Sequence, residues 1–351
     1  LSRGLGDVYK RQQQELRRRG LDGMLVTDEK NQRYASGFPI TDGAVVVGLE
    51  KSWLITDSRY IEAAEAAVDG NLTEVVLYDR EHPLTGIIRS VCAGMVRLAA
   101  EDKKLSHVGY LGYEKALGRE LLPAGDLFET LRASKTEEEI ACMIEAQRIS
   151  EKALETVLHI IKPGMTEKQV AEYIDNEYKK AGCESVAFTT IVSFGANAAD
   201  PHHEPDDTVL EKGECVLIDM GCCKNRYCSD MTRTFFCGEP KPEYAAIHDL
   251  VRQANEAAEA MIHPGVRLCD IDAAARDLIT KAGYGEYFNH RLGHFIGQTD
   301  HEKGDVSAAN TDTVKPGMIF SIEPGVYLPG KFGVRVEDLV IVTETGCEVL
   351  N

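Results

Sequence analysis

Three stretches of this chain occur twice, in the same order, and the repetition limits the folds open to its second half. Ile161-Lys-Pro163-Gly164-Met corresponds to Ile262-His-Pro264-Gly265-Val, and Lys180-Ala-Gly182 to Lys281-Ala-Gly283. Both matches share one offset, so the helical segment between them repeats in register. Downstream, Leu210-Glu-Lys-Gly213-Glu-Cys-Val-Leu-Ile-Asp219 aligns without gaps on Val314-Lys-Pro-Gly317-Met-Ile-Phe-Ser-Ile-Glu323. One such match can arise by chance, but three in order mark the duplication of a helix-plus-hairpin unit. Each copy then delivers two carboxylates to a site on the pseudo-twofold axis between them.

Five residues carry the chemistry: Asp219, Asp230, His294, Glu323 and Glu337. Each lies on or beside a short apolar run that reads as a strand. An unpaired charge buried in such a place is very costly, so their convergence points to two divalent cations. Residues 214–220 and 227–236 read as a hairpin with turn formers between them. Centring that turn on Lys224-Asn225 places Asp219 directly opposite Asp230, a repulsive pair until a metal reverses the sign. In the second copy, Gly330 lies midway between Glu323 and Glu337. Period-two alternation puts Arg335 on the face of Glu337, from where it would orient that ligand. His294 is flanked by Gly293 and Gly297, which let backbone or ligand approach closely.

A chain of 351 residues exceeds the usual size of a single core, so two domains are expected. A net charge of −18 disfavours nucleic-acid partners and anionic membrane surfaces. No segment is apolar for the length of a membrane span. The ten cysteines are scattered without a zinc-type second cluster, and read as reduced structural thiols of a cytoplasmic protein. Residues 1–12 lack an apolar pattern continuous with that of residue 13 onward. They read as a gene fragment or cloning scar outside the fold.

Residues 13–133 alternate strand-like and helical runs, as in an α/β layered domain. Strands are expected at 21–27, 44–48, 52–57 and 108–112, with helices near 59–68 and 84–100. Thr56-Asp57-Ser58-Arg59-Tyr60 reads as a strand end plus a helix cap. Ser134 or Thr136 caps a helix running to about Ile160, opening the second domain, 134–351. Within it, the loop Asn197–Pro205 precedes the Asp219 strand, which ranks His202 above His203 as an active-site group. His290 and His301 flank His294 and are candidate substrate contacts.

Four carboxylates against two divalent ions make a neutral, oxygen-rich site suited to Mn2+, with Co2+, Fe2+ or Zn2+ as alternatives. Ions roughly 3.5–4 Å apart would lower the pKa of a bridging water from 15.7 towards about 7, giving hydroxide for attack on an amide. Asp219 would chelate one ion, Asp230 and Glu337 bridge both, and His294 and Glu323 complete the second. Glu323 can accept the proton of the attacking water, while His202 and His301 hold the carbonyl or the tetrahedral intermediate.

The run Leu217-Ile-Asp219-Met-Gly, Ser229-Asp230-Met-Thr-Arg, His290-Arg-Leu-Gly-His294, His301-Glu302, Ser321-Ile-Glu323-Pro-Gly-Val-Tyr327 and Gly333-Val-Arg335-Val-Glu337-Asp resembles the pita-bread metallopeptidases. Among them it is most similar to Xaa-Pro dipeptidases (prolidases) and Xaa-Pro aminopeptidases. Asn31-Gln-Arg-Tyr34 and Asp57-Ser-Arg-Tyr60 resemble their creatinase-type N-terminal domain. The resemblance implies an α+β pita-bread catalytic domain behind an α/β creatinase-like one. It also implies a manganese- or cobalt-dependent cytoplasmic enzyme, a homodimer or higher oligomer, that cuts proline-containing peptides after the N-terminal residue. The family's active-site histidines fall on His202, His290 and His301. Phe295, where glycine is common, and Gln298-Thr-Asp300 depart from the pattern and bear on substrate preference.

Competing readings rank lower. Methionine aminopeptidases generally lack the large N-terminal domain, and creatine hydrolases lack the full ligand set. A catalytically silent peptide- or partner-binding member of the fold would have lost ligand positions. Structural calcium sites use closely spaced loop acids absent here.

Overall fold

The computed structural model describes residues 2–351, with side chains from residue 6 onward, in two compact units that divide between Arg132 and Ala133. Helix α1 (Ser2–Arg19) opens the first unit, followed by β1 (Gly23–Val26), α2 (Glu29–Ser36), β2 (Gly43–Gly48), β3 (Ser52–Thr56), α3 (Ile61–Ala67), β4 (Thr73–Leu77), α4 (Leu84–Val91), β5 (Leu98–Ala100), α5 (His107–Leu117), β6 (Leu122–Pro123) and α6 (Leu127–Arg132). The six strands form one sheet, ordered β4-β3-β2-β1-β5-β6. β1–β2 and β2–β3 are antiparallel and the outer pairs parallel. The Ala-Val-Val-Val run of β2 is buried throughout, as a strand covered on both faces requires.

Two expectations for this unit need correction. Residues 2–12 are not outside the fold, because α1 runs through them and buries Val8, Tyr9, Gln12 and Leu16. That stripe has helical spacing and crosses residue 12 without a break. Residues 108–112 are not a strand either. They lie in α5, whose cap is the Ser106 side chain accepting from the Gly109 N–H. Val108 and Leu111 are exposed, while Tyr110, Tyr113 and Leu117 pack inward at helical spacing. The strand in that stretch is β5, ten residues earlier than expected.

The second unit begins with α7 (Glu137–Ile160), where Thr136 and Glu139 form a reciprocal capping box. α8 (Glu167–Lys180), β7 (Ser185–Val186), β8 (Ile191–Phe194), β9 (Cys215–Met220), β10 (Cys222–Lys224), β11 (Tyr227–Cys228) and β12 (Met231–Phe236) complete the first copy. The second copy has α9 (Pro242–Met261), α10 (Leu268–Lys281), β13 (Gly293–His294), β14 (Asp305–Val306), β15 (Ile319–Ile322), β16 (Gly325–Leu328), β17 (Phe332–Arg335), β18 (Asp338–Val342) and β19 (Cys347–Val349). The duplication is visible in bonds as well as lengths. α8 and α10 both span 14 residues, and Gly164 N–H to Leu210 O and Gly265 N–H to Val314 O are both 3.0 Å. Both glycines have φ near +90°, a conformation other residues adopt at a cost.

The sheets β12-β9-β8 and β15-β18-β19 are the corresponding halves. They are stitched by the bridge Thr232↔Glu337. Each half has its own apolar core against its helix pair, with Val157, Val170 and Ile218 in one and Val251, Ile271 and Ile322 in the other.

Candidate metal centre

The β9–β12 hairpin turns at Asn225 and Arg226, both in the left-handed region (φ 50° and 64°). A two-residue turn of this kind matches the strand twist, and Asn tolerates the conformation well. The turn lies one residue later than Lys224-Asn225, which shifts the register. Asp219 therefore pairs with Thr232 rather than Asp230. The two carboxylates are diagonal neighbours, and Thr232 occupies the place between Asp219 and Glu337. In the second copy, Ile322 pairs with Asp338 and Gly325 with Arg335. The ladder opens at Glu323 and Glu337, which face each other across the gap.

These residues meet in a cavity of about 800 Å³ lined by all five acid and imidazole candidates together with Arg335. Ligand atoms of Asp230, His294 and Glu337 lie within 4.8 Å of one another, and all three residues are buried. His294 Nε2 stands 3.4 Å from Asp230 Oδ2 and 3.6 Å from Glu323 Oε1. Its Nδ1 lies 3.3 Å from the Phe295 carbonyl, which favours the tautomer with a free lone pair on Nε2. Gly293 is required by backbone, since a Cβ there would overlap the Ser321 carbonyl. Gly297 makes room for the Glu302 carboxylate.

Arg335 binds Asp219 Oδ2 through Nη2 at 2.7 Å and Tyr327 Oη through Nη1 at 2.8 Å. Among the described residues, no direct hydrogen bond joins it to Glu337. Its Nε instead donates to Thr232 Oγ1 at 3.1 Å, and that hydroxyl donates to Glu337 Oε2 at 2.6 Å. The arginine thus aligns Asp219 directly and Glu337 through Thr232. Nothing in the sequence pattern singled out Thr232 or Tyr327. For Thr232 the available signal was its period-two relation to Asp230.

Burial raises the carboxyl pKa of Asp230 well above the usual range, with Asp219 adding repulsion. Burial does the same for Glu337, with Asp230 adding to it, and lifts Glu323 to about 7. Asp219 Oδ1 is buried with no hydrogen-bond partner. A cup of crowded carboxylates, one orphan oxygen and an imidazole lone pair fits divalent cations: they supply the positive charge these oxygens lack.

The histidines divide by role. His290 uses both ring nitrogens inside the protein, with Nδ1 2.7 Å from Arg291 O and Nε2 3.0 Å from Tyr327 Oη. Burial, with Arg335 nearby, pushes it down to about 3, so it is neutral. His301 lies against His294 at 3.9 Å between ring centroids, and burial lowers it to about 4. His202 is exposed and lines the cavity. His203 also lines it, but its Nε2 is 2.7 Å from Glu167 Oε2. Glu167, Asp206 and His203 cluster as a second group with metal-ligating atoms. Glu167 is already satisfied, however, by the N–H groups of Phe194, Asp206 and Asn197 besides the histidine. The group is a hydrogen-bonded clasp on the loop that presents His202. A second clasp is the buried Lys135–Glu302 pair at 3.2 Å, beside His301. Neither Glu167 nor Lys135 stood out in the sequence, because each is a charged residue at or near a helix start.

A buried carboxylate–imidazole cup on the axis of a duplicated sheet defines a metallohydrolase of the pita-bread class. The chain belongs to metallopeptidase family M24, whose model matches residues 141–344, and residues 9–134 match the creatinase/prolidase N-terminal domain. It is 35% identical over 328 residues to the uncharacterized peptidase YqhT of Bacillus subtilis, covering 93% of this chain and 92% of that one. Among solved structures it is similar to an Xaa-Pro dipeptidase from Bacillus anthracis (TM-score 0.93, 34% identity, 99% of this chain and 97% of that one). An X-Pro aminopeptidase from Thermotoga maritima (0.88, 34%, 96% and 97%) and the prolidase from Pyrococcus furiosus (0.86, 31%, 96% and 98%) share the fold. Among the described residues, no helix is long and apolar enough to cross a membrane.

Proposed function

We propose that the protein is a two-metal exopeptidase that hydrolyses the bond between an N-terminal residue and proline. The observation that carries this reading is the convergence of Asp219, Asp230, His294, Glu323 and Glu337 on one buried cavity. The Xaa-Pro peptidases among its structural neighbours supply the substrate class. Asp219, Asp230, His294, Glu323 and Glu337 would hold the two ions, an oxygen-rich donor set that suits manganese. Divalent ions bound there supply a nucleophile from water at neutral pH and polarise the scissile carbonyl.

The rest is done by side chains. Glu323, held by the Ser321 hydroxyl at 3.3 Å, takes up the proton released from water and returns it to the leaving proline nitrogen. His301, neutral at working pH, donates to the developing oxyanion without adding a charge, and His202 approaches from the opposite loop. His290 supports Tyr327, and through it Arg335, in addition to lining the substrate side. The same reading has the enzyme working as a cytoplasmic homodimer.

The test is hydrolysis by metal-stripped protein reloaded with manganese, comparing Ala-Pro, Ala-Pro-Ala and Met-Ala. Cleavage of either proline peptide, abolished by chelator, is expected, and the faster of the two assigns dipeptidase or aminopeptidase character. Turnover of Met-Ala with neither proline peptide cleaved would overturn the specificity.

A further inference from the structure

The hairpin that leads into Asp230 carries a second chemistry that the hydrolytic reading does not use. Cys223 in β10 is the direct cross-strand partner of Cys228 in β11. Their backbone groups point away from each other: Cys223 O accepts from Glu184 N–H at 2.9 Å, and Cys228 N–H donates to Gly297 O at 2.8 Å. This is therefore a non-hydrogen-bonded pair, the narrow kind, with Cα atoms about 4.5 Å apart. That spacing falls at the short end of the range a disulfide spans, about 4.4–6.8 Å. The two sulfurs already stand 2.9 Å apart. Cys223 is half-buried beside the exposed turn, whereas Cys228 is buried. The adjacent Cys222 faces the other way, its sulfur 3.5 Å from Ala146 O and its thiol pushed up to about 12 by burial.

We propose that Cys223 and Cys228 form a reversible dithiol–disulfide pair, a thiol-oxidation site on the β10–β11 hairpin. The oxidant is a low-molecular-weight disulfide such as oxidised glutathione. Cys223, as thiolate, attacks one sulfur of that disulfide, forming a mixed disulfide and expelling one small thiolate. Cys228 then attacks Cys223 Sγ, its proton passing to the departing sulfur, which leaves as the second small thiol. Two protein thiols are oxidised to one S–S bond, and one small disulfide is reduced to two thiols. The hydrogen bond from Cys228, opposed by burial, lowers the Cys223 thiol to about 7, which suits it to the first step. Cys223 lies beside the exposed Asn225-Arg226 turn, within reach of small thiols, so the pair returns to thiols in a reducing medium.

Lys224 and Arg226 lie between the cysteines, so trypsin separates them unless a disulfide holds the fragments together. The experiment incubates the full-length protein with oxidised glutathione, blocks remaining thiols with maleimide, and maps peptides before and after dithiothreitol. The expected result is a Cys223–Cys228 linkage with two thiols lost per chain, reversed by dithiothreitol, and no linkage in Cys223→Ser. A stable glutathione adduct on Cys223 without linkage, or a bridge from Cys223 to Cys142, which packs against the same apolar cluster, would overturn it.

Discussion

At the scale of single residues, the centre is governed by the conflict between burial and charge. In the absence of cations, Glu323 binds its proton up to about pH 7, above the value it has in an unfolded chain. A raised folded pKa gives stability that is complete at acid pH and is lost as pH climbs through that value. The chelator-treated protein should therefore lose melting temperature between pH 5 and 8. Manganese should restore more at pH 8 than at pH 5, where protons compete for the ligands. Differential scanning fluorimetry across that window decides it, and an apo melting temperature that rises with pH would contradict the assignment. Asp230→Asn removes a ligand while keeping shape. Activity should fall by at least about 100-fold, at the upper end of what even supporting residues cost, with metal content reduced on elemental analysis. The apo form should fold at least as well as wild type, because the amide removes a carboxyl that burial and Asp219 both disfavour as an anion.

Elements hold these residues through clasps outside the metal-ligand set. Lys135, immediately before α7, is buried against Glu302, whose other oxygen accepts from the Gln298 N–H. Removing one partner of a buried pair strands the other, at a cost of about 3–5 kcal/mol. Lys135→Met should show that loss in urea unfolding, and Lys135→Met with Glu302→Gln should recover much of it. The Glu167 clasp is expected to act on rate. Glu167→Gln replaces one acceptor oxygen by a donor that faces the Asp206 N–H, loosening the loop that carries His202. A drop in kcat/KM of about 10-fold with unchanged manganese stoichiometry is expected, and a parallel loss of metal would argue against it. Both clasps were hard to foresee, because a charged residue beside a helix start reads as an ordinary cap or dipole partner.

For the whole molecule, metal binding and folding are linked. The ligands come from both copies of the duplicated unit, so occupancy stabilises the sheet junction as well as the site. Manganese at about 100 times its Kd should add about 2.7 kcal/mol of unfolding free energy per site. Chemical denaturation at two metal concentrations measures it, and no dependence on manganese would separate the cup from cation binding. The stabilisation should show in the unit that begins at Ala133, since every candidate ligand belongs to it.

The sequence by itself determined the duplication, the candidate acids and imidazole, and the family, because each depends on residue type and spacing along the chain. Segments repeated at a shared offset marked the duplication, and the motif runs around the acids and histidines carried the resemblance to the family. The tertiary structure decided what spacing leaves open. One residue of turn position, set by the left-handed Asn225 and Arg226, made Asp219 and Asp230 diagonal and put Thr232 between Asp219 and Glu337. It set Arg335 directly on Asp219 and linked it to Glu337 through Thr232, took His290 into a bond with Tyr327, and drew residues 2–12 into a helix. These outcomes rest on contacts between residues far apart in the chain, whose partners no local pattern names.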